Sequence, residues 1–335
     1  MIFIKMDDTK LPATVQRALS ELEINDDSLL DYVMSHVATS LTPNTYKTYT
    51  NHLAKFAAHY PFPAKPEDVL QFIKIQNEAR LASEGKPYAN ATIQAWVNAI
   101  SLAHRSAGHP DPTQNVIVEK VLEGVRRKNF KPQKQAKALS QQQIIAMSQV
   151  TTESAVCDLR NKVIVLLGYA GGLRSEHLVG MRVENIIPIV QEGVNGYTID
   201  FSKEKQRQNR SRKIYIPRNG KLLSIGEPLE QWLAITGSGF VFKEVQKDGG
   251  LVVSGKPMAT RSIRKIIKNL AYAAQIKEWQ QVSPHSLRVS FVTNSIHLGF
   301  TPQQIAKQTG QSLQMVMRYI QSEGLFVNNP VTKLL

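Results

Sequence analysis

The sequence predicts a mainly α-helical fold with one small antiparallel β-sheet, arranged as two domains. Three observations carry that prediction. Most of the chain shows apolar residues recurring at helical spacing between short polar breaks. IIPIV, GYTIDFS and KIYIP are instead short β-branched or alternating runs separated by turn residues, as in a small antiparallel sheet. RRKNFKPQKQAKAL (126–139) has bases but no acid, contains a proline and lacks a periodic apolar face, so it reads as an extended linker between two halves. A chain of 335 residues, 42% of them hydrophobic, suits that division.

The elements follow in order. DDSLLDYVMSHVATSL places Leu29, Leu30, Val33 and Val37 on one helical face. Thr42 and Pro43 supply a cap and a first-turn proline for NTYKTYTNHLAKFAAHY. VLQFIKIQNEARLAS follows a proline-rich loop, and ATIQAWVNAISLAHRSAG is closed by Gly108 and Pro110. NVIVEKVLEGVRRKN completes a helical domain over residues 1–128, with the linker at 129–139 and a second domain at 140–335. There Ser140 caps QQQIIAMSQV, and DLRNKVIVLLGYA forms the next helix. GGLRSEHLVGMRVENI (171–186) opens with a glycine pair and an arginine, then reads as an amphipathic helix. After the sheet, helices resume with EPLEQWLAIT, TRSIRKIIKNLAYAAQ, SLRVSFVTNSIHLG, TPQQIAKQTG and LQMVMRYIQS.

Composition narrows the function. Lys and Arg outnumber Asp and Glu by 41 to 27, a net charge of +14, which points to a polyanion or an anionic surface. The single Cys157 excludes an intramolecular disulfide framework and a cysteine-based zinc cluster. MIFIKMDDTK does not read as a signal peptide, and no apolar run approaches the roughly 18 residues of a membrane span. The expectation is a soluble cytoplasmic protein with no membrane partner. HExxH, the phosphate-loop pattern, the glycine-rich dinucleotide turn and the EF-hand loop are all absent, and acidic residues are not clustered for two-metal chemistry. No metal or other cofactor is expected. Chemistry on a phosphodiester then falls to Arg, Lys and His, which must offset the charge that builds on phosphorus.

Candidates for that work are present. Arg174 stands at the start of a predicted helix, where the helix dipole disfavours a cation, so an anion belongs nearby. PHSLR puts His285 and Arg288 three apart on one helical face. An arginine fork grips two non-bridging phosphate oxygens, and an imidazole one turn away moves a proton. H-x-x-R by itself is more often structural. Tyr319 in MVMRYI is a nucleophile if arginines stabilise its phenolate; a lone tyrosine in an apolar helix more often packs in the core.

Taken in order, GLRSEHLVGMRVENI, a lysine in the turn after GYTIDFS, PHSLR, TGQS and MRYI resemble the tyrosine site-specific recombinases. TIQAWVNAISLAHRSAGHPDP with VEKVLEGVRRK looks like the N-terminal domain of that family's Cre-like branch. The resemblance implies a C-shaped clamp around duplex DNA, built from a helical core-binding domain and a catalytic domain. It matches Arg174 to the first catalytic arginine, whose anion is then the scissile phosphate. His285 and Arg288 match the second cluster, and Tyr319 the nucleophile. Lys205, or Lys203 under a shorter-turn alignment, matches the proton donor to the leaving 5′ oxygen. Gln311 stands where the family usually has His or Trp. His177 stands where it usually has an acid, with Glu176 one place early. The implied reaction is metal-independent cleavage through a 3′-phosphotyrosine, then exchange through a Holliday junction in a homotetramer on two sites. The segment LFVNNPVTKLL would dock in trans.

DNA-contacting candidates are Lys47, Asn51 and Arg105 for base reading, Arg126, Arg127 and Lys131 along the linker, and Arg261 and Arg264 in the second domain. The departures at His177 and Gln311 leave open a sequence-specific DNA-binding protein with weak or lost catalysis. A DNA-relaxing enzyme like the type IB topoisomerases is the other alternative. The expected setting is a prokaryotic nucleoid, with the gene of plasmid or phage origin.

Overall fold

The computed structural model describes residues 43–129, 136–152, 154–201, 213–244 and 256–322. The chain separates into two compact units, residues 1–133 and 134–335. The helix read at DDSLLDYVMSHVATSL, the candidates Lys131, Lys203 and Lys205, and LFVNNPVTKLL lie outside the described residues.

In the first unit, helices α1 (Pro43–Ala57), α2 (Pro66–Glu84), α3 (Asn90–Ser106) and α4 (Val116–Lys128) enclose one core. Pro66 opens α2, and Gly85, in the left-handed conformation at φ 65°, ends it. Phe72 sits at the centre, its ring edge-on to Phe56 at 5.2 Å and to Trp96 at 5.3 Å. Buried His104 accepts from the Ala64 N–H through Nε2 at 2.9 Å, while Nδ1 lies 2.8 Å from the Ile100 carbonyl. An acceptor role for Nε2 puts the proton on Nδ1, so this histidine ties α3 to the loop that precedes α2.

The basic stretch 126–139 is not linker throughout: its first three residues are helical, in keeping with the domain limit at 128, and its last is core. α4 continues to Lys128, so Arg126 and Arg127 lie in its last helical turn rather than on an extended strand. Cations there complement the negative end of the helix dipole, which offsets the missing apolar periodicity. At the other end Leu139 is buried in the core of the second unit, its N–H donating to Ser290 Oγ at 2.7 Å, and Lys137 donates to Glu278 at 2.9 Å.

The second unit contains α5 (Gln141–Ser148), α6 (Ala155–Ala170), α7 (Ser175–Gly180), α8 (Gly226–Thr236), α9 (Thr260–Ala273), α10 (Pro284–His297), α11 (Pro302–Thr309) and α12 (Leu313–Ser322). Val163 through Leu167 are all buried, so α6 is surrounded rather than amphipathic, with α5, α8 and α10 packed around it. Strands β1 (Ile186–Gln191), β2 (Val194–Asp200) and β3 (Lys213–Pro217) form an antiparallel sheet in that order. Glu192 and Gly193, both at positive φ (53° and 77°), make the two-residue turn between β1 and β2. Ile199, paired with Ile214, and Ile216 point into the core. The predicted fold class, mainly helical with one small antiparallel sheet, is the observed one.

The amphipathic helix expected to follow Arg174 is shorter than its pattern. α7 ends at Gly180, Met181 is extended, and Arg182 makes a β-bridge to Phe240 before a short 3₁₀ turn over Val183–Asn185. Pairing of residues 181–183 with the 239–241 segment, including Val241 N–H to the Met181 carbonyl at 2.9 Å, replaces helical bonds there.

Candidate active site

The site begins at the C-terminus of α6. The last carbonyls of a helix lack intrahelical partners, and three here are capped by the turn that follows. Gly171 N–H bonds Leu167 O, Gly172 N–H bonds Tyr169 O, and Leu173 N–H bonds Gly168 O, each at 3.0 Å. Gly172 has φ 53°, and a Cβ there would lie 2.8 Å from Thr309 Cγ2, so both backbone and space demand glycine. Leu173 is fully buried and anchors the chain just before Arg174. Arg174 is exposed and occupies the N-cap position of α7 with no side-chain cap bond.

α10 supplies the second cluster. Ser283 and Ser286 form a capping box and Pro284 fills the first turn. His285 is exposed at the rim, whereas Arg288 is 0% exposed. Arg288 Nη1 donates to the Gly172 carbonyl. A buried guanidinium is costly unless hydrogen-bonded, so this contact fixes α10 against the turn that carries Arg174. Further along α10, Asn294 Nδ2 donates to Tyr169 Oη at 3.0 Å and to the Leu139 carbonyl at 3.2 Å, which sets the helix register.

α11 starts with Thr301 capping Gln304 and Pro302 at the first turn, and stops at Gly310, left-handed at φ 63°. That stop redirects the chain through Gln311 into α12. Gln311 is buried, and its Oε1 has no hydrogen-bond partner among the described residues. Val316 and Tyr319 of α12 pack with Val289, Val292 and Ile296 of α10 and Ile305 of α11. Tyr319 is thereby 6% exposed, and its hydroxyl lies 3.3 Å from His285 Nε2.

Although His285 keeps part of its surface in solvent, burial of the rest lowers its pKa from 6.5, and the charges of Arg288 and then Arg174 lower it further. The imidazole is therefore held toward its neutral form, in which Nε2 can accept from the phenol. Arg174, His285, Arg288 and Tyr319 are thus brought together from three separate elements.

The remaining candidates fall as follows. His177 on α7 packs its ring against Phe201, centroids 5.2 Å apart, at the end of β2. Lys203 and Lys205 lie just beyond Phe201, outside the described residues. Glu176 is exposed on α7. Lys47 and Asn51 are exposed one turn apart on α1. Arg105 is exposed, 3.7 Å from Asp111; Arg126 donates to Gln94, and Arg127 pairs with Glu123. Arg261 and Arg264 are exposed on α9 opposite its buried Ile263 and Ile267. Sequence reasoning missed Lys265 and Lys268, which extend this pair into a basic stripe at positions 261, 264, 265 and 268; helical spacing was the available signal. It also missed Gly172, Asn294 and the partners of Gln308. Among the described residues no group of three His, Cys, Asp or Glu side chains is placed to hold a metal ion, and no helix is long and apolar enough to cross a membrane.

A helical domain with this sheet, two arginines, a histidine and a buried tyrosine defines the class. The chain belongs to the phage integrase family, whose profile matches residues 137–324, and is a tyrosine site-specific DNA recombinase. It is similar to the integrase/recombinase XerD homolog of Selenomonas ruminantium, 25% identical over 325 residues that cover 92% of this chain and 91% of that protein. It is also similar to recombinase Cre of Escherichia phage P1, 25% identical over 281 residues covering 78% and 77% of the two chains. In fold it resembles the crystal structure of XerH recombinase in a post-cleavage complex with palindromic difH substrate, with a TM-score of 0.58 and 14% identity, covering 98% of this chain and 90% of that one.

Proposed function

We propose that this recombinase cleaves and rejoins DNA through Tyr319. The observation that carries the reading is the 3.3 Å approach of the Tyr319 hydroxyl to His285, whose protonation is opposed by burial and then by Arg288 and Arg174. The phenol oxygen attacks phosphorus, and its proton passes to His285 Nε2. The bond from phosphorus to the 5′ oxygen breaks, and Lys205, or Lys203, protonates that oxygen. Arg174 and Arg288 offset the charge on the non-bridging oxygens, and Gln311 adds an uncharged hydrogen bond. The 3′-phosphotyrosine keeps the bond energy, so the freed 5′-hydroxyl of a partner strand reverses the step without metal or ATP.

Each protomer carries one such phenol. Exchange of both strands between two duplexes needs four cleavages, which supports a homotetramer working through a Holliday junction. In this reading a core-binding domain (1–128), a linker (129–139) and a catalytic domain (140–335) all engage the duplex, and LFVNNPVTKLL docks on a neighbouring protomer. Lys47, Asn51, Arg105, Arg126, Arg127, Lys131, Arg261 and Arg264 contact DNA. The net charge of +14 supports that partner, in the cytoplasm and on the nucleoid.

The test is a nicked duplex taken from the native locus, incubated with the protein and run on a denaturing gel. A protein-linked strand, with exchanged strands when two sites are present, is the expected result. Sequence-specific binding without a linked strand would favour the reading in which His177 and Gln311 mark lost catalysis. On a closed circular plasmid assayed in parallel, relaxation of supercoils without site choice or exchange would favour the topoisomerase-like one.

A further inference from the structure

We infer that Gln308, a residue outside the catalytic set, is a positioning residue that aligns Arg174 with Gln311 and with the helix bearing Tyr319. The inference rests on the proposed function. Of the last four carbonyls of α6, three are capped by backbone N–H groups of the turn, and the fourth, Ala170 O, is reached by Gln308 Nε2 at 3.1 Å. The same nitrogen donates its second hydrogen to Tyr215 O on the edge strand β3 at 3.0 Å. Facing two carbonyls, the amide has one sensible orientation, because the flipped form would set oxygen against oxygen.

One planar group therefore clamps three elements. Ala170 lies four residues before Arg174, β3 is paired to β2, from which the candidate lysines depart, and Gln308 itself lies three residues before Gln311. The next residue, Thr309, presses its methyl on Gly172. Gly172 O is held in turn by Arg288. The turn bearing Arg174 is thus gripped from α11 on one side and from α10 on the other. Loss of the Gln308 donors leaves two carbonyls to find other partners and frees the turn to shift against α11. A shift of about 1 Å in a catalytic group costs on the order of a hundredfold in rate.

The experiment uses Gln308→Ala and Gln308→Met in the full-length protein; methionine fills similar space but donates nothing. Single-turnover cleavage of a nicked duplex is measured at saturating protein, with DNA affinity and thermal stability alongside. The wild-type protein must first form the covalent strand; if it does not, it is the proposed function that fails. Given that activity, cleavage is expected to fall about tenfold to a hundredfold in both variants, with affinity kept within about twofold. In an Arg174→Lys background the same changes are expected to cost less than about threefold, since they act through one group. Unchanged cleavage in the Met variant, a fully additive loss with Arg174→Lys, or failure of both variants to fold would each overturn the inference, the last by showing a staple for folding only.

Discussion

The Tyr319 hydroxyl and His285 Nε2 meet at 3.3 Å from positions 34 residues apart, and only the packing of α12 on α10 makes this possible. The contact gives His285 a definite pH behaviour. Its folded pKa is below 6.5, through burial first and then Arg288 and Arg174, so between the folded value and 6.5 the unfolded chain binds more proton. The stability contributed by this group is complete above pH 6.5 and is lost as pH falls through the folded value. Cleavage by the wild-type protein should accordingly hold to below pH 6.5 before declining. In His285→Gln the rate should be lower and that acid limb absent. A single-turnover rate profile across about pH 5 to 8, the range around the ordinary histidine value, checks this.

The Gly172 turn should be intolerant of a side chain. Gly172→Ala places a methyl in the left-handed region and 2.8 Å from Thr309 Cγ2. The backbone strain alone is about 1–2 kcal/mol. Reduced stability in denaturant melts and a cleavage loss of about tenfold or more are expected. Thr309→Ser, which removes the opposing methyl, should restore part of both.

This turn also shows how far the site was legible. Arg174, His285, Arg288 and Tyr319 each sit in a short contiguous motif, so their order along the chain made them candidates before the structure placed His285 beside Tyr319. The extent of α7 was not legible, because the apolar pattern continues past Gly180 while pairing with residues 239–241 takes the chain out of the helix. Arg126 and Arg127 fell both in the helix read at NVIVEKVLEGVRRKN and in the basic stretch 126–139, because charge blurs the end of a helix whose apolar face lies earlier, at Val118 and Leu122. Gln308 gave no signal at all. Its role depends on carbonyls 138 and 93 residues away, the one helix-end carbonyl the turn does not reach and one on a sheet edge, that local pattern cannot bring together.

Gln311 is buried where it can offer only a neutral hydrogen bond. Gln311→Ala should slow cleavage by about tenfold, the worth of one such bond to a charged group, with DNA affinity changed little. Gln311→His, able to carry charge, should match or exceed the wild-type rate. Single-turnover cleavage of one nicked substrate by the three proteins decides the order.

The basic stripe on α9 should act through phosphates. Replacing Arg261 and Arg264 by Ala is expected to weaken binding at all sequences alike and to lower the salt dependence by about one to two in the slope of log affinity against log salt. Chelator should leave cleavage unchanged. Binding titrations from low to moderate salt test the first, and cleavage assayed with and without chelator tests the second.

The most direct measurement compares the wild-type protein with Tyr319→Phe on a nicked duplex from the native locus. Phenylalanine keeps the packing of a side chain that is 6% exposed and removes only the hydroxyl. The wild-type protein is predicted to leave a strand attached to protein on a denaturing gel, while the variant binds the same duplex with equal affinity and leaves none. A strand still captured by the variant would contradict the assignment of Tyr319 as the nucleophile.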